Sequence, residues 1–251
     1  MTRNSLCVVI ITKNSSDILD GCLKSVSGLK SDVVLVDDYS TDKTVTIAKK
    51  HKVKVIKHHE ANFGKQKAFA LNQAKGEWIL SLDSDERLTK PLVNEILFTI
   101  KREESDVTAY RIPYQNHFLG KKINYGGEDY KMIRLFKKEA SEYKDSLVHE
   151  KIEIKKGQIG VLKNKINHYS YRSIGQMFNK FTDYAKRDVQ TKINNREKSS
   201  LKKIILYPLH MFWARFFKDK GYKDGLFRIP LDLGFAYMEF LTYFLLLFKR
   251  K

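Results

Sequence analysis

Trp78-Ile79-Leu80-Ser81-Leu82-Asp83-Ser84-Asp85-Glu86-Arg87 is an apolar run of strand character that ends in three acidic residues. So apolar a strand is expected to be covered on both faces, and open α/β sheets bind ligands at the carboxyl ends of such strands. Asp83 and Asp85 are two apart, so on extended backbone both side chains leave on the same side. Their carboxylates are hard oxygen donors suited to Mg2+ or Mn2+, and such an ion would take phosphate as its other ligand. The pattern is equally that of an acidic turn capping a helix that begins near Pro91.

Upstream of this strand the chain alternates. Leu6 to Thr12 is a continuous β-branched run, and Ser15 or Ser16 can cap a helix whose apolar stripe is Ile18, Leu19, Cys22, Leu23, Val26 and Leu29. Val33 to Asp37 reads as the next strand, Ser40 or Thr41 as the start of a helix through Lys50, and Val53 to Lys57 as a third strand. Phe63 to Ala74 is helical and Gly76 ends it. Strands separated by helices of this length predict a parallel, doubly wound sheet. Thr12, Lys13, Asn14, Asp37, Asp38, Ser40, Asp83 and Asp85 would then meet along one sheet edge. No G-x-G-x-x-G follows the first strand, which disfavours a dinucleotide fold.

At 251 residues, 42% of them hydrophobic, the chain is long enough for a substantial core. Cys7 and Cys22 sit in a strand and a helix pattern and read as buried thiols in a reducing cytosol. The apolar run after Asn4 is too short for a signal-peptide core, so no secretory leader is expected. The net charge is +18, and residues 171–251 hold 17 Lys and Arg against 7 Asp and Glu. Such a basic, aromatic-rich third suits an anionic surface, either membrane lipid or nucleic acid, or is simply a solvated face.

Three blocks carry a resemblance. They are Val8-Val9-Ile10-Ile11-Thr12-Lys13-Asn14, then Val36-Asp37-Asp38-Tyr39-Ser40-Thr41-Asp42-Lys43-Thr44, and then Asn62-Phe63-Gly64-Lys65-Gln66-Lys67 with Gly76 to Glu86. In this order they resemble the family 2 inverting glycosyltransferases of the GT-A fold. Tyr110-Arg111-Ile112-Pro113, Arg134-Leu135-Phe136, Leu147-Val148-His149-Glu150 and His168-Tyr169-Ser170-Tyr171-Arg172-Ser173 make the lipopolysaccharide-core β-glucosyltransferases the most similar branch.

The resemblance implies roles. Asp38 would bond the nucleotide base, with Thr12, Lys13 and Asn14 lining the same pocket. Asp83 and Asp85 would hold Mg2+ or Mn2+ on the sugar-nucleotide diphosphate, with Ser84 beside them and Lys65 and Lys67 approaching the phosphates. Ala68 departs from the family, where many relatives have Asn. Inverting transfer needs a base opposite the leaving nucleotide. Glu150 is the candidate, standing where relatives carry a Glu-Asp pair, and Asp129 or Glu128 in the Gly126-Gly127-Glu128-Asp129 turn are the alternatives. His168 would complete the metal shell, as neutral imidazole can. Tyr114, Asn116, His117 and Tyr125 could face an acceptor sugar, or belong to a half-exposed edge strand.

Beyond His168 the period becomes helical. Ser173 and Gln176 form a capping box ahead of a stripe of Ile174, Met177, Phe178, Phe181, Tyr184, Ala185 and Val189. Lys192 to Ser200 reads as a loop, and Leu201 to Phe217 as an amphipathic helix containing Pro208. Leu231 to Phe248 is apolar but interrupted by Asp232 and Glu239. Central charges cost about 3 kcal/mol each in a membrane span, so an interfacial or a packed helix is expected rather than a crossing.

The expected architecture is therefore an α/β GT-A domain, Rossmann-like with a mostly parallel sheet flanked by helices, over residues 1–170. A basic helical region, suited to association with a membrane, follows over 171–251. The expected activity is metal-dependent, inverting transfer of a sugar, glucose from UDP-glucose for choice. The acceptor would be a membrane-bound glycolipid such as the lipopolysaccharide inner core, met by peripheral contact with the anionic cytoplasmic face of the inner membrane. A polyprenyl-linked or protein acceptor is the alternative within the reaction. A non-catalytic basic membrane- or nucleic-acid-binding module is the rival from another class. No nucleic acid is expected, because Asp38, Asp83 and Asp85 gathered at strand ends would repel a polyanion.

Overall fold

The computed structural model describes residues 5–60, 62–102, 106–144 and 151–249. It begins β1 (Leu6–Thr12), α1 (Leu19–Val26), β2 (Asp32–Asp37), α2 (Thr44–Lys50), β3 (Lys54–Lys57), α3 (Phe63–Asn72) and β4 (Trp78–Asp83). Every residue of β1 after Leu6 is buried, as a strand between two helix layers requires. β1 pairs in parallel with β2 and with β4, and β3 extends the array beyond β2. Side chains alternate between faces: Cys7, Val9, Ile11, Val34, Val36 and Ile79 pack with Ala70, Leu71 and Ala74 from α3 and its C-terminal turn.

The chain continues through β5 (Glu86–Leu88), α4 (Lys90–Ile100), β6 (Val107–Phe118), β7 (Lys121–Ile123), β8 (Lys131–Lys137), β9 (Ser141–Lys144), β10 (Lys151–Ile154), β11 (Gln158–Val161) and β12 (Ile166–Tyr171). β8 joins antiparallel to β4 and then to β6, and β12 pairs antiparallel with β5. β9 and β10 pair antiparallel in a separate two-stranded sheet. The last elements are α5 (Ile174–Asn194), α6 (Leu201–Trp213), a π-helical turn over Ala214–Lys218 and α7 (Ile229–Phe248).

The chain forms two compact units. One comprises residues up to Tyr114 together with Lys131–His168; the other comprises Gln115–Tyr130 together with Tyr169 onward. In the second, Phe118, Ile123, Met177, Phe181 and Leu231 form one core cluster, and Val189, Ile204, Tyr243 and Leu246 another.

Several local expectations are corrected. Neither Ser15 nor Ser16 caps α1 with its side chain; the Ser15 carbonyl accepts from Ile18 and Leu19 N–H instead. α2 begins at Thr44, not at Ser40 or Thr41, because the Asp42 carboxylate binds both the amide and the hydroxyl of Thr44 and holds the preceding residues in a turn. α3 ends at Asn72. Ser173 does accept from Gln176 N–H, but Gln176 returns its bond to Arg172 N–H, one residue ahead of the usual box. α5 extends to Asn194, through the start of the expected loop, and Ile174 and Tyr184 of its stripe are exposed.

Candidate active site

Asp83 is the last residue of β4, and a turn at Ser84 and Asp85 leads into β5. The backbone is therefore not extended across the three acids, and their side chains take different partners. Asp83 Oδ2 receives Arg134 Nη2 at 2.6 Å, and Asp83 Oδ1 lies 3.5 Å from Lys67 Nζ. Asp85 Oδ1 lies 3.6 Å from His168 Nε2, on β12. Glu86 is fully buried and accepts from Arg134 Nη2 and from the Tyr114 hydroxyl, while its other oxygen accepts from Asp83 N–H.

Arg134 is thus a buried cation shared by two carboxylates, with Tyr114 against its Nε. Burial alone would raise the Asp83 carboxyl, but Arg134 and then Lys67 hold it well below the usual carboxylate range. Glu86 moves the other way: burial pushes it up, with the Asp83 charge adding to the shift against the pull of Arg134. Burial opposes a charged His168, yet the Asp85 contact and the surrounding Glu86 and Asp83 charges raise it.

Glu86 has no distinguishing signal in the sequence beyond its place after Asp83 and Asp85, and Arg134 stands there only within the Arg134-Leu135-Phe136 motif. The available signal was an arginine inside the apolar run Met132-Ile133-Arg134-Leu135-Phe136, since a charge so placed needs a buried partner. Tyr114 is only 2% exposed and its hydroxyl belongs to this network, so it does not face an acceptor. Lys67 is also buried, whereas Lys65 is exposed.

The ends of β1 and β2 build the neighbouring part of the same unit. Thr12 and Asp37 are register partners, and each has one buried side-chain oxygen, Thr12 Oγ1 and Asp37 Oδ1, with no hydrogen-bond partner among the described residues. Asp38 accepts from Lys13 Nζ at 2.9 Å and contacts His59 Nδ1 at 2.6 Å. Although burial works against it, these two neighbours lower the Asp38 carboxyl. Asn14 stands at φ 45° and ties the two loops together, its N–H donating to Ser40 Oγ and its Oδ1 accepting from Thr41 N–H. Ser84 Oγ meets Ser15 Oγ at 3.1 Å.

Neighbouring ligands of one octahedral ion at about 2.1 Å stand about 3 Å apart, and Asp85 Oδ1 and His168 Nε2 stand 3.6 Å apart. A carboxylate and an imidazole are both metal-ligating donors, and they would close by about half an ångström to share such an ion. Among the described residues no group of three or more His, Cys, Asp or Glu stands ready to hold an ion, and both oxygens of Asp83 already face cationic side chains.

Glu150 lies outside the described residues, as do Leu147, Val148 and His149. In the second unit, Glu128 is engaged by Arg215 and Arg228, the latter also paired with Asp224 and Asp232. Asp129, next to it, is exposed. The turn they occupy needs its glycine: Gly126 has φ +68°, and a Cβ there would fall 2.1 Å from Arg228 Nη2. Asn116 donates to Glu128, and His117 stacks on Tyr169 at 4.4 Å, so both are occupied within their unit; Tyr125 is exposed.

A family model described as Glycosyl transferase family 2 matches residues 7–150. An uncharacterized glycosyltransferase of Rickettsia typhi is 28% identical over 242 residues, which covers 92% of this chain and 83% of the relative. The lipopolysaccharide core biosynthesis glycosyltransferase LpsC of Rhizobium meliloti is 24% identical over 247 residues, covering 94% of this chain and 90% of LpsC. The crystal structure of S. aureus TarS 1-349 in complex with UDP has the same fold, with a TM-score of 0.50 at 17% identity over 98% of this chain and 93% of that one.

Proposed function

The chain belongs to glycosyl transferase family 2 and has the GT-A architecture, and from that premise we propose that it moves a sugar from a UDP-sugar donor, UDP-glucose first, onto a membrane-bound glycolipid. The similarity to LpsC favours a lipopolysaccharide inner-core acceptor, reached by peripheral contact with the cytoplasmic face of the inner membrane. Family membership sets aside the rival of a non-catalytic basic module.

The observation that carries this reading is the gathering, at the carboxyl ends of β1, β2 and β4, of acids paired with cations, together with two buried oxygens, Thr12 Oγ1 and Asp37 Oδ1, that have no hydrogen-bond partner among the described residues. Thr12, Lys13, Asn14 and Asp38 are the proposed nucleoside contacts, and Lys65, Lys67, Asp83 and Ser84 the proposed contacts of the ribose and diphosphate. Asp85 and His168 would hold Mg2+ or Mn2+, with Asp83 alongside. Such an ion offsets the charge that develops on the departing nucleoside diphosphate.

Arg134 and Lys67 fix the Asp83 carboxylate in its ionised form, so the strand end carries a set charge rather than a mobile proton. Glu150 is the proposed base that takes the acceptor proton, with exposed Asp129 as the alternative; Glu128 is tied into ion pairs. Calorimetry with UDP, with and without Mn2+, tests the donor site. A hydrolysis screen of UDP-sugars then tests donor and class together: metal-dependent release of UDP from one donor supports the reading, and no release from any overturns it.

A further inference from the structure

Helix α6 packs inward through Ile204, which is 8% exposed in a cluster with Val189, Tyr243 and Leu246. Its other side is not polar, as a solvated helix face would be. Leu201, Ile205, Leu209, Trp213 and Phe217 recur every four residues through α6 and the π-helical turn, and they are 71%, 60%, 64%, 52% and 52% exposed. Four-residue spacing keeps them on one slowly drifting line, about 25 Å long at 1.5 Å per residue. An apolar row of this length on the outside of a unit marks a contact surface.

Charge identifies what covers it. From Lys198 to Lys223 the chain holds seven Lys and Arg against a single acid, Asp219. Lys202 lies in the first turn of α6, while Lys218, Lys220 and Lys223 follow the row, all exposed. Apolar and aromatic side chains along a helix, with lysines at both ends, match the two layers of an anionic lipid surface: acyl boundary in the middle, headgroups at the rims. We infer that α6 and the Ala214–Lys218 turn lie flat on an anionic lipid surface, with the Leu201-to-Phe217 row inserted into it. The inference rests on the membrane contact of the proposed function and gives it a location.

The test uses the intact chain and its own fluorescence. Of the two tryptophans, Trp78 is 3% exposed and Trp213 lies on the row, so a change of emission on adding vesicles reports Trp213. Phosphatidylcholine vesicles containing phosphatidylglycerol should shift that emission to the blue and carry the protein down on sedimentation. Pure phosphatidylcholine should do so weakly, and high salt should weaken both effects. Ile205→Ser with Leu209→Ser should lower partitioning at least about tenfold, and Lys202→Gln with Lys218→Gln should lower it on anionic vesicles only. These positions are exposed, so folding by circular dichroism and UDP binding should not change.

Vesicle binding that survives both double variants overturns the inference, as does its absence in the wild type. So does concentration-dependent self-association that the Ser pair abolishes, which would assign the row to a second copy. A wild type that hydrolyses UDP-sugar but binds no vesicles removes this surface alone; vesicle binding by the wild type without any UDP-sugar hydrolysis removes the transferase reading and leaves the surface standing.

Discussion

The Arg134 guanidinium meets the Asp83 carboxylate at 2.6 Å while the same nitrogen bonds the fully buried Glu86. One cation therefore balances two carboxylates 48 and 51 residues away in the chain. Breaking a buried pair by removing one partner costs far more than the pair contributes net, because the remaining charge stays buried. Arg134→Met should destabilise the protein by about 3 to 5 kcal/mol. Arg134→Lys should recover only part of this, since a point charge cannot span both acids and Tyr114. Urea denaturation midpoints check this, and a cost below about 1 kcal/mol for Arg134→Met would contradict the pairing.

What the sequence made legible follows from burial. β1 and β4 were readable because both are buried over nearly their whole length, so apolar residues dominate each strand and the few polar ones, Ser81 within β4 and Thr12 and Asp83 at the ends, do not hide the run. α2 was placed early because Asp42 satisfies Thr44 locally, a bond that short-range patterns do not distinguish from a cap. His168 was named beside Asp85 from resemblance, and the two stand 3.6 Å apart. Arg134 signals a buried partner by its place in an apolar run, but which partners it takes was not legible, because Glu86 and Tyr114 look ordinary until the fold brings β5, β6 and β8 together.

Tyr39 follows Asp38 with φ 49° and is 59% exposed. A bulky side chain in the left-handed region costs about 1 to 2 kcal/mol, and little packing offsets it here. Tyr39→Gly should raise stability by about 0.5 to 1 kcal/mol after the added unfolded-state entropy of glycine. A thermal scan should show a rise of about 2 °C, and a fall would mean that Tyr39 makes contacts worth more than its strain.

Glu197 joins Lys203 at 2.9 Å, Lys192 at 3.3 Å and the Tyr243 hydroxyl at 2.8 Å. Burial resists, but these partners lower its carboxyl to about 2 from an ordinary 4.5. A depressed acid stabilises the fold above its unfolded value and loses that contribution as pH falls through the folded one. Wild type should thus exceed Glu197→Gln in stability by about 1 to 2 kcal/mol at pH 7, after allowance for solvent screening. The gap should close between pH 4.5 and pH 2. Denaturation curves across that range check it; a constant gap would assign the effect to packing.

If Asp85 and His168 share a divalent ion, His168→Ala and Asp85→Asn should each weaken apparent Mn2+ affinity at least about tenfold. Asp83→Asn should act differently, since Asp83 is already matched by Arg134 and Lys67: its larger effect should be on stability. Titrating Mn2+ against UDP binding separates the two, and unaltered Mn2+ affinity in His168→Ala removes the histidine from the site.

The base is tested by removing its charge and keeping its shape. A general base contributes about 10^2- to 10^4-fold to rate, whereas a carboxylate that merely pairs with a nearby lysine leaves turnover almost unchanged when neutralised. Glu150→Gln should therefore lower kcat by about two to four orders of magnitude and leave UDP affinity as it was, because a base acting on the acceptor does not touch the leaving nucleotide. The donor and acceptor roles separate in a second measurement: UDP-sugar hydrolysis by water should fall less than transfer to the acceptor. Unchanged transfer by Glu150→Gln, with loss in Asp129→Asn, would move the role to the exposed turn beside Glu128. Its geometry depends on Arg228 and Gly126, and Gly126→Ala should then cost activity as well as stability.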